Sequence, residues 1–126
     1  MYELMIAIGV LLVAILTCFR ASATANGLMR TVRETETATA DLQAAMEQIL
    51  LLSPDQIPIA ASAYAANQPI AAFNSLHLRN ESLVPTYPGY GGGAVVPDPL
   101  SIVLNLNWVD FRGRPRSMQL SCVRTR

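Results

Sequence analysis

The side chains that most often carry out chemistry are scarce in this sequence and stand far apart. His77 is the only histidine, and it lies outside any Cys, Asp or Glu pattern that is typical of a metal site. Ser75 and Ser101 stand in no motif that supplies a base to activate a serine nucleophile. We therefore expect no metal site and no cofactor, and we do not expect this protein to be an enzyme.

Two short motifs have both a chemical and a simpler structural interpretation. The run from Gly91 to Gly93 has the composition of a phosphate-binding loop. No Gly-Lys-Ser or Gly-Lys-Thr follows it and no βαβ pattern surrounds it, so a flexible surface loop is the favoured interpretation. Asn80-Glu81-Ser82 matches the N-glycosylation triplet, which occurs often by chance.

The charge balance does not favour nucleic acid as a partner. Nine basic residues, all of them Arg, match nine acidic residues, so the net charge is zero and no positive field attracts phosphates. Five of these Arg lie in the last fifteen residues, without the interleaved aromatic residues of a nucleic-acid surface. A solvated hairpin edge is the simpler interpretation of this basic end.

The carboxylate in the most unusual position is Glu3, at the edge of a long apolar run. Residues 4–19 are apolar apart from Gly9 and Thr17. As a helix this run is about 24 Å long, and its flanking residues extend it towards the length that spans a bilayer. An unpartnered carboxylate in an apolar setting costs several kcal/mol. Glu3 therefore needs a partner, or a place at the lipid–water boundary.

The segment does not have the pattern of a secretory signal peptide. No basic residue precedes the apolar run, and helix-forming sequence follows it instead of a cleavage site and a mature domain. We expect residue 1 to lie at or near a mature N-terminus.

The sequence after the apolar run predicts a continuing amphipathic helix. Residues 21–53 contain no proline and are rich in helix-forming residues, with a largely apolar stripe at three- and four-residue steps. We predict an apolar segment over residues 1–27 and an amphipathic helix over 28–52, which Ser53-Pro54 ends. Asn26 and Gly27 both have poor helix propensity, so a break in the helix is expected there.

The remainder of the chain predicts an irregular region followed by a β-hairpin. Seven of the eight prolines lie in residues 53–99, which favours short, irregular structure. Apolar alternation on both sides of a turn predicts a hairpin over residues 100–125. The fold class is therefore α+β, a long helix packed on a small antiparallel sheet that ends in this hairpin. The expected core residues are Leu42, Met46, Ile102, Leu104, Leu106, Trp108 and Leu120.

These features together resemble a type IV pilin or pseudopilin. The stretch YELMIAIGVLLVAIL is similar to the start of that family, in which a Glu follows a few apolar residues. The ending LNWVDFRGRPRSMQLSCVRTR resembles the final hairpin of minor pilins and small pseudopilins, with a Trp strand, a D-x-x-G turn and a closing strand. The resemblance covers roughly the first fifty and the last twenty-five residues.

The resemblance implies roles for the N-terminal residues. Glu3 is expected to meet the positive N-terminal amine of a neighbouring subunit, and Met1 to stand at the methylated terminus. The family has its Glu at the fifth mature position, so either two residues precede Met1 or Met1 is not the mature start. The helix residues expected in the filament core are Leu4, Ile8, Leu11, Leu12, Ile15 and Phe19.

The implied function is that of a structural subunit of a type IV pilus-like filament. Its partners are then other copies of itself and other pilin-like subunits. It resides in the bacterial inner membrane before assembly and in an extracellular or periplasmic filament afterwards, with adhesion or secretion as the filament's use. Two alternatives stay open: a minor pseudopilin of a type II secretion system, and a membrane-anchored binding domain that never polymerises.

Overall fold

The computed structural model describes residues 2–59, 62–93 and 95–125. Helix α1 spans Tyr2–Leu50, and the strands are β1 (Ser82–Thr86), β2 (Leu100–Val109) and β3 (Pro115–Arg124). Two short 3-10 helices, Pro54–Gln56 and Ala71–Phe73, lie between the helix and the sheet in sequence. The predicted α+β class, with a long N-terminal helix and an antiparallel sheet, is confirmed. The chain divides into two compact units, Met1–Arg33 and Glu34–Arg126.

Helix α1 runs without interruption, so the predicted break at Asn26 and Gly27 is wrong for this chain. Gly costs only about 1 kcal/mol relative to Ala inside a helix. Residues on both sides favour helix, and no proline lies nearby. The Gly27 carbonyl also accepts a hydrogen bond from the Thr31 hydroxyl at 3.1 Å. A single weak pair is therefore not enough to interrupt a helix of 49 residues.

Threonine hydroxyls along α1 bond back to the helix backbone. Thr17 Oγ1 donates to the carbonyl three residues earlier at 2.8 Å. Thr24, Thr31 and Thr39 each donate to the carbonyl four residues earlier, at 2.8–3.1 Å. These bonds leave the hydroxyl groups satisfied within the helix itself.

The helix ends two residues before the predicted limit of residue 52. Leu50 is its last residue, and Leu51 and Leu52 form a closing turn in which the Leu52 N–H donates to the Ile49 carbonyl at 3.1 Å. Ser53 has extended backbone geometry ahead of Pro54. This is the conformation that a following proline favours, so Pro54 prevents the helix from continuing through Ser53.

Strand β1 lies inside the region that the sequence predicts to be irregular, which is a correction to that expectation. The strand has alternating burial and contains Pro85. It forms one edge of the sheet, whose order is β1-β2-β3. A proline is compatible with an edge strand because one side of the strand needs no hydrogen-bond donor. The density of prolines around this segment hid its short apolar alternation.

All neighbouring strands in the sheet are antiparallel. Leu104 of the central strand β2 stands opposite Pro85 of β1 and opposite Leu120 of β3. Residues 110–114 connect β2 to β3, and Gly113 takes a positive φ of 77° there. Burial alternates along β2, so one face of the sheet is turned to the protein interior.

The core of the second unit forms where the stripe of α1 meets the inner face of the sheet. Ala38, Leu42 and Ile49 of the helix are almost fully buried in one cluster with β2. Of the seven expected core residues, Leu120 is only partly buried and packs against this cluster from β3. The other six are buried in the cluster: Leu42, Met46, Ile102, Leu104, Leu106 and Trp108.

Removing the helix stripe should unfold the sheet, since a small sheet is marginally stable without a partner for its apolar face. We expect a fragment that begins at Leu28 to be soluble and to melt cooperatively. A fragment that begins at Ser53 should show no cooperative transition by circular dichroism. Cooperative melting of the shorter fragment would mean that the sheet does not need the stripe.

Truncating one side chain at the centre of this contact should be costly. Leu104 is fully buried, so Leu104→Ala is expected to lower the free energy of unfolding by about 2–5 kcal/mol. Val103→Ala is the matched control. Val103 is next to Leu104 in the chain, but its side chain lies on the other face of β2 and is only half-buried. Chemical denaturation should give a much smaller change for the control. Equal losses in the two variants would contradict this description of the core.

Candidate functional site

The first candidate is the apolar surface of α1 in the first unit. The six expected filament-core residues lie on this helix, and their exposed fractions run from 43% for Ile15 to 70% for Phe19. Contiguous apolar surface of this extent is unusual on a soluble monomer and marks a surface that another molecule or a lipid covers. The helix is long and apolar enough to cross a membrane, a property that signal sequences share, and none of its apolar window is buried. The helix thus gives weak support for membrane association.

Glu3 lies at the start of this surface. It is exposed and occupies the first turn of α1, where the helix dipole favours a negative charge. Within the described residues, its carboxylate makes no hydrogen bond or ion pair. Met1, the other expected assembly residue, lies outside the described residues, so the pairing of Glu3 with a terminal amine stays a prediction.

A second polar feature organises the turn between β2 and β3. Asp110 is 1% exposed, and its Oδ1 accepts the backbone N–H groups of Arg112 and Arg114 at 2.9 and 2.8 Å. The Nε atoms of Arg114 and Arg116 lie 3.3 and 3.4 Å from Oδ2. Glu34 of α1 accepts the Phe111 N–H at 3.0 Å. The carboxylates therefore fix the turn and tie it to the helix.

These donors control the ionisation of Asp110. The Arg114 N–H is the largest influence, and with the Arg112 N–H and the Arg114 charge it lowers the pKa of Asp110 below 3.8. Burial acts in the opposite direction and does not overcome the donors. The basic hairpin that the sequence predicts is thus organised around a carboxylate. Arg114 and Arg116 each donate a hydrogen bond to the Asp110 carboxylate through Nε.

The third feature is a buried acidic cluster that the sequence does not reveal. Asp41 of α1 accepts a hydrogen bond from His77 Nδ1, which lies 2.9 and 3.1 Å from its two oxygens. Glu81 Oε2 accepts the backbone N–H groups of His77 and Leu78 at 3.0 and 3.1 Å. Asp41 and Glu81 are 5% and 1% exposed, whereas the His77 side chain is 55% exposed.

Only a weak signal for this cluster is present in the sequence. Asp41 lies 36 residues before His77, so no local motif joins them. The available signal was a charged residue directly beside Leu42, on the side of the helix that carries the apolar stripe. A charge in such a position needs a partner from elsewhere in the chain.

The cluster does not have the composition of a metal centre. Among the described residues, no group of three or more His, Cys, Asp or Glu side chains is placed to hold a metal ion. The Asp41 carboxylate holds the His77 ring through Nδ1, as an orienting acid does in a general-base pair. The fold brings Asp41 and Glu81 to the same residue, His77. Ser101 lies on β2.

Comparison with known proteins gives no relative for this chain, since no protein-family model, curated protein or solved structure matches it. Three features of the chain are candidates for its function. They differ in chemistry: one is an exposed apolar surface, one is a carboxylate held ionised by donors, and one is a buried acid pair beside a histidine.

Replacing Asp110 should change how stability depends on pH. A lowered pKa means that the folded chain favours the carboxylate, so the stabilisation is present above pH 3.8 and is lost as pH falls through the lower folded value. We expect Asp110→Asn to lower the thermal midpoint at neutral pH and to differ less from wild type in acid. Glu47 is an exposed acid on α1, so Glu47→Gln is the control, and the pH dependence of its thermal midpoint should match that of wild type. A pH-independent difference for Asp110→Asn would contradict this role.

Proposed function

We propose that this protein is a structural subunit of a type IV pilus-like filament and polymerises through the apolar part of α1. The observation that carries the proposal is the exposed apolar surface of residues 4–19, which continues without a break into the helix that packs on the sheet. The β2–β3 hairpin at the end of the chain supports the same assignment. A hairpin in that place is what the resemblance to minor pilins leads one to expect.

The energetics favour a covered state for this helix. Full burial of one large aliphatic side chain contributes about 1.5–3 kcal/mol. The six exposed residues of the expected filament core therefore provide a large driving force for transfer out of water. Lipid covers them before assembly, while the subunit resides in the bacterial inner membrane. Neighbouring helices cover them in the extracellular or periplasmic filament. The same surface serves both states because both surroundings are apolar.

Glu3 gives this apolar association its register. Apolar surfaces slide past one another at little cost, whereas a carboxylate moved into them must find a positive partner. The N-terminal amine of a neighbouring copy supplies that charge at one axial position. Polymerisation then selects a single stagger between subunits, and other pilin-like subunits with the same terminus can join the filament.

Two alternatives share part of this evidence. A minor pseudopilin of a type II secretion system would use the same surface within a shorter assembly. A membrane-anchored binding domain would use α1 as an anchor and would place Glu3 at the lipid–water boundary. Electron micrographs of the purified full-length protein test the difference, because continuous thin filaments exclude the anchored monomer. Only dispersed particles under conditions that remove detergent would exclude polymerisation of this chain by itself.

Removing the N-terminal carboxylate should separate membrane residence from assembly. We expect Glu3→Ala to stay in the membrane fraction, since the apolar run is intact, and to fall below detection in sheared filament preparations. Glu36→Ala is the matched control, because it removes an exposed carboxylate from the same helix outside the apolar run. A normal filament yield from Glu3→Ala would contradict the proposed role of Glu3.

A further inference from the structure

The buried cluster of Asp41, His77 and Glu81 does not serve the apolar surface and needs an explanation of its own. Its three side chains join α1 to loop 75–81, the segment before β1. The two side-chain oxygens of Glu81 differ in their hydrogen bonding. Oε2 accepts two backbone N–H groups, whereas Oε1 is buried and has no hydrogen-bond partner among the described residues. Both acids contact the same residue, since Asp41 bonds to the His77 ring and Glu81 bonds to the His77 backbone N–H, and Glu81 is close enough to influence the ionisation of Asp41. A buried acceptor beside a second buried acceptor is unfavourable unless something is shared between them.

The nearby charges cannot balance two carboxylates. The charges that act on Asp41 come from Glu81 and His77. On α1, the positions three and four residues from Asp41 carry no charge, being Thr37, Ala38, Ala44 and Ala45. The other charged residue of the loop is Arg79, whose carbonyl accepts the Val109 N–H of β2 at 2.9 Å. The half-exposed imidazole of His77 contacts Asp41, whereas Glu81 accepts only the backbone N–H of His77 and that of Leu78.

We propose that Asp41 and Glu81 share one proton in the folded domain, and that this proton makes the attachment of loop 75–81 to α1 dependent on pH. The proton lies between Glu81 Oε1 and an Asp41 oxygen, so it supplies the missing hydrogen bond. The remaining negative charge faces His77 Nδ1. Release of the proton leaves two buried carboxylates together, and their repulsion favours opening of the loop.

The ionisation of Asp41 has the direction that this arrangement requires. Burial is the largest influence and raises the pKa of Asp41 above 3.8, the neighbouring Glu81 raises it further, and His77 opposes both. The folded domain thus holds the proton more tightly than the unfolded chain does. This stabilisation is fully present below pH 3.8 and is lost as pH rises through the higher folded value.

The backbone of the loop favours opening once the proton is gone. Ser75 and Asn80 take positive φ values of 54° and 52°, a region that non-glycine residues rarely adopt. They stand near the two ends of the loop. The Ser75 N–H donates to the Glu81 carbonyl at 3.0 Å, which closes the loop on itself. The amides of His77 and Leu78 report directly on attachment because they donate to Glu81 Oε2.

Hydrogen exchange of these two amides in the full-length chain, held in detergent micelles, tests the proposal. The opening equilibrium constant is the observed exchange rate divided by the intrinsic rate, measured from about pH 5 to about pH 9. In wild type it should rise by about tenfold per pH unit wherever opening releases the shared proton. In Glu81→Gln the amide group replaces that proton and cannot release it, so the slope should fall. Any slope that remains belongs to the His77–Asp41 pair.

Equal slopes in wild type and Glu81→Gln, or no slope in wild type, would overturn the proposal. Glu47→Gln is the control for the loss of an acid on the same helix, and it should keep the wild-type slope. An infrared measurement on wild type does not depend on any variant folding. It should show a protonated carboxyl band at neutral pH that disappears in Asp41→Asn. The absence of that band from the folded wild-type chain would also overturn the proposal.

Discussion

The contact between the apolar stripe of α1 and the inner face of β2 is the interaction on which the rest of the second unit depends. Two small residues of the stripe, Ala38 and Ala45, are fully buried in this cluster. A three-stranded sheet with one uncovered apolar face has little stability in water. The proline-rich connection then adds its own apolar residues to the same cluster, including Ile57, Ile70 and Phe73.

Two buried aspartates next to this core show how the surroundings decide the state of a carboxyl group. Asp110 receives two backbone N–H groups and lies beside two Arg side chains, so it favours the ionised form although it is almost fully buried. Asp41 is buried to a similar degree, and there burial and the neighbouring Glu81 outweigh the opposing His77, so the pKa of Asp41 is raised. The number and charge of the donors decide whether the effect of burial on the pKa is overcome, as at Asp110, or prevails, as at Asp41.

Periodicity made much of this fold predictable from the sequence. The stripe from Leu42 to Met46 and the alternation from Ile102 to Trp108 each depend on local spacing, and both segments bury those residues together. The break at Asn26 and Gly27 was wrong because local propensity was given more weight than the cooperativity of a long helix. Strand β1 was missed because its pairing with β2 comes from a distant part of the chain. The Asp41–His77 contact was out of reach for the same reason, since only tertiary structure brings these residues together.

The threonine hydroxyls of α1 have a consequence for the surroundings in which the helix can exist. Thr17 and Thr24 keep their hydrogen bonds inside the helix, to carbonyls of the preceding turn. A side chain that is satisfied in this way loses little when water is withdrawn, because no bond to solvent has to be broken. These hydroxyl groups therefore add little to the cost of moving the apolar part of the helix out of water. Transfer of this segment out of water needs no change in these internal hydrogen bonds.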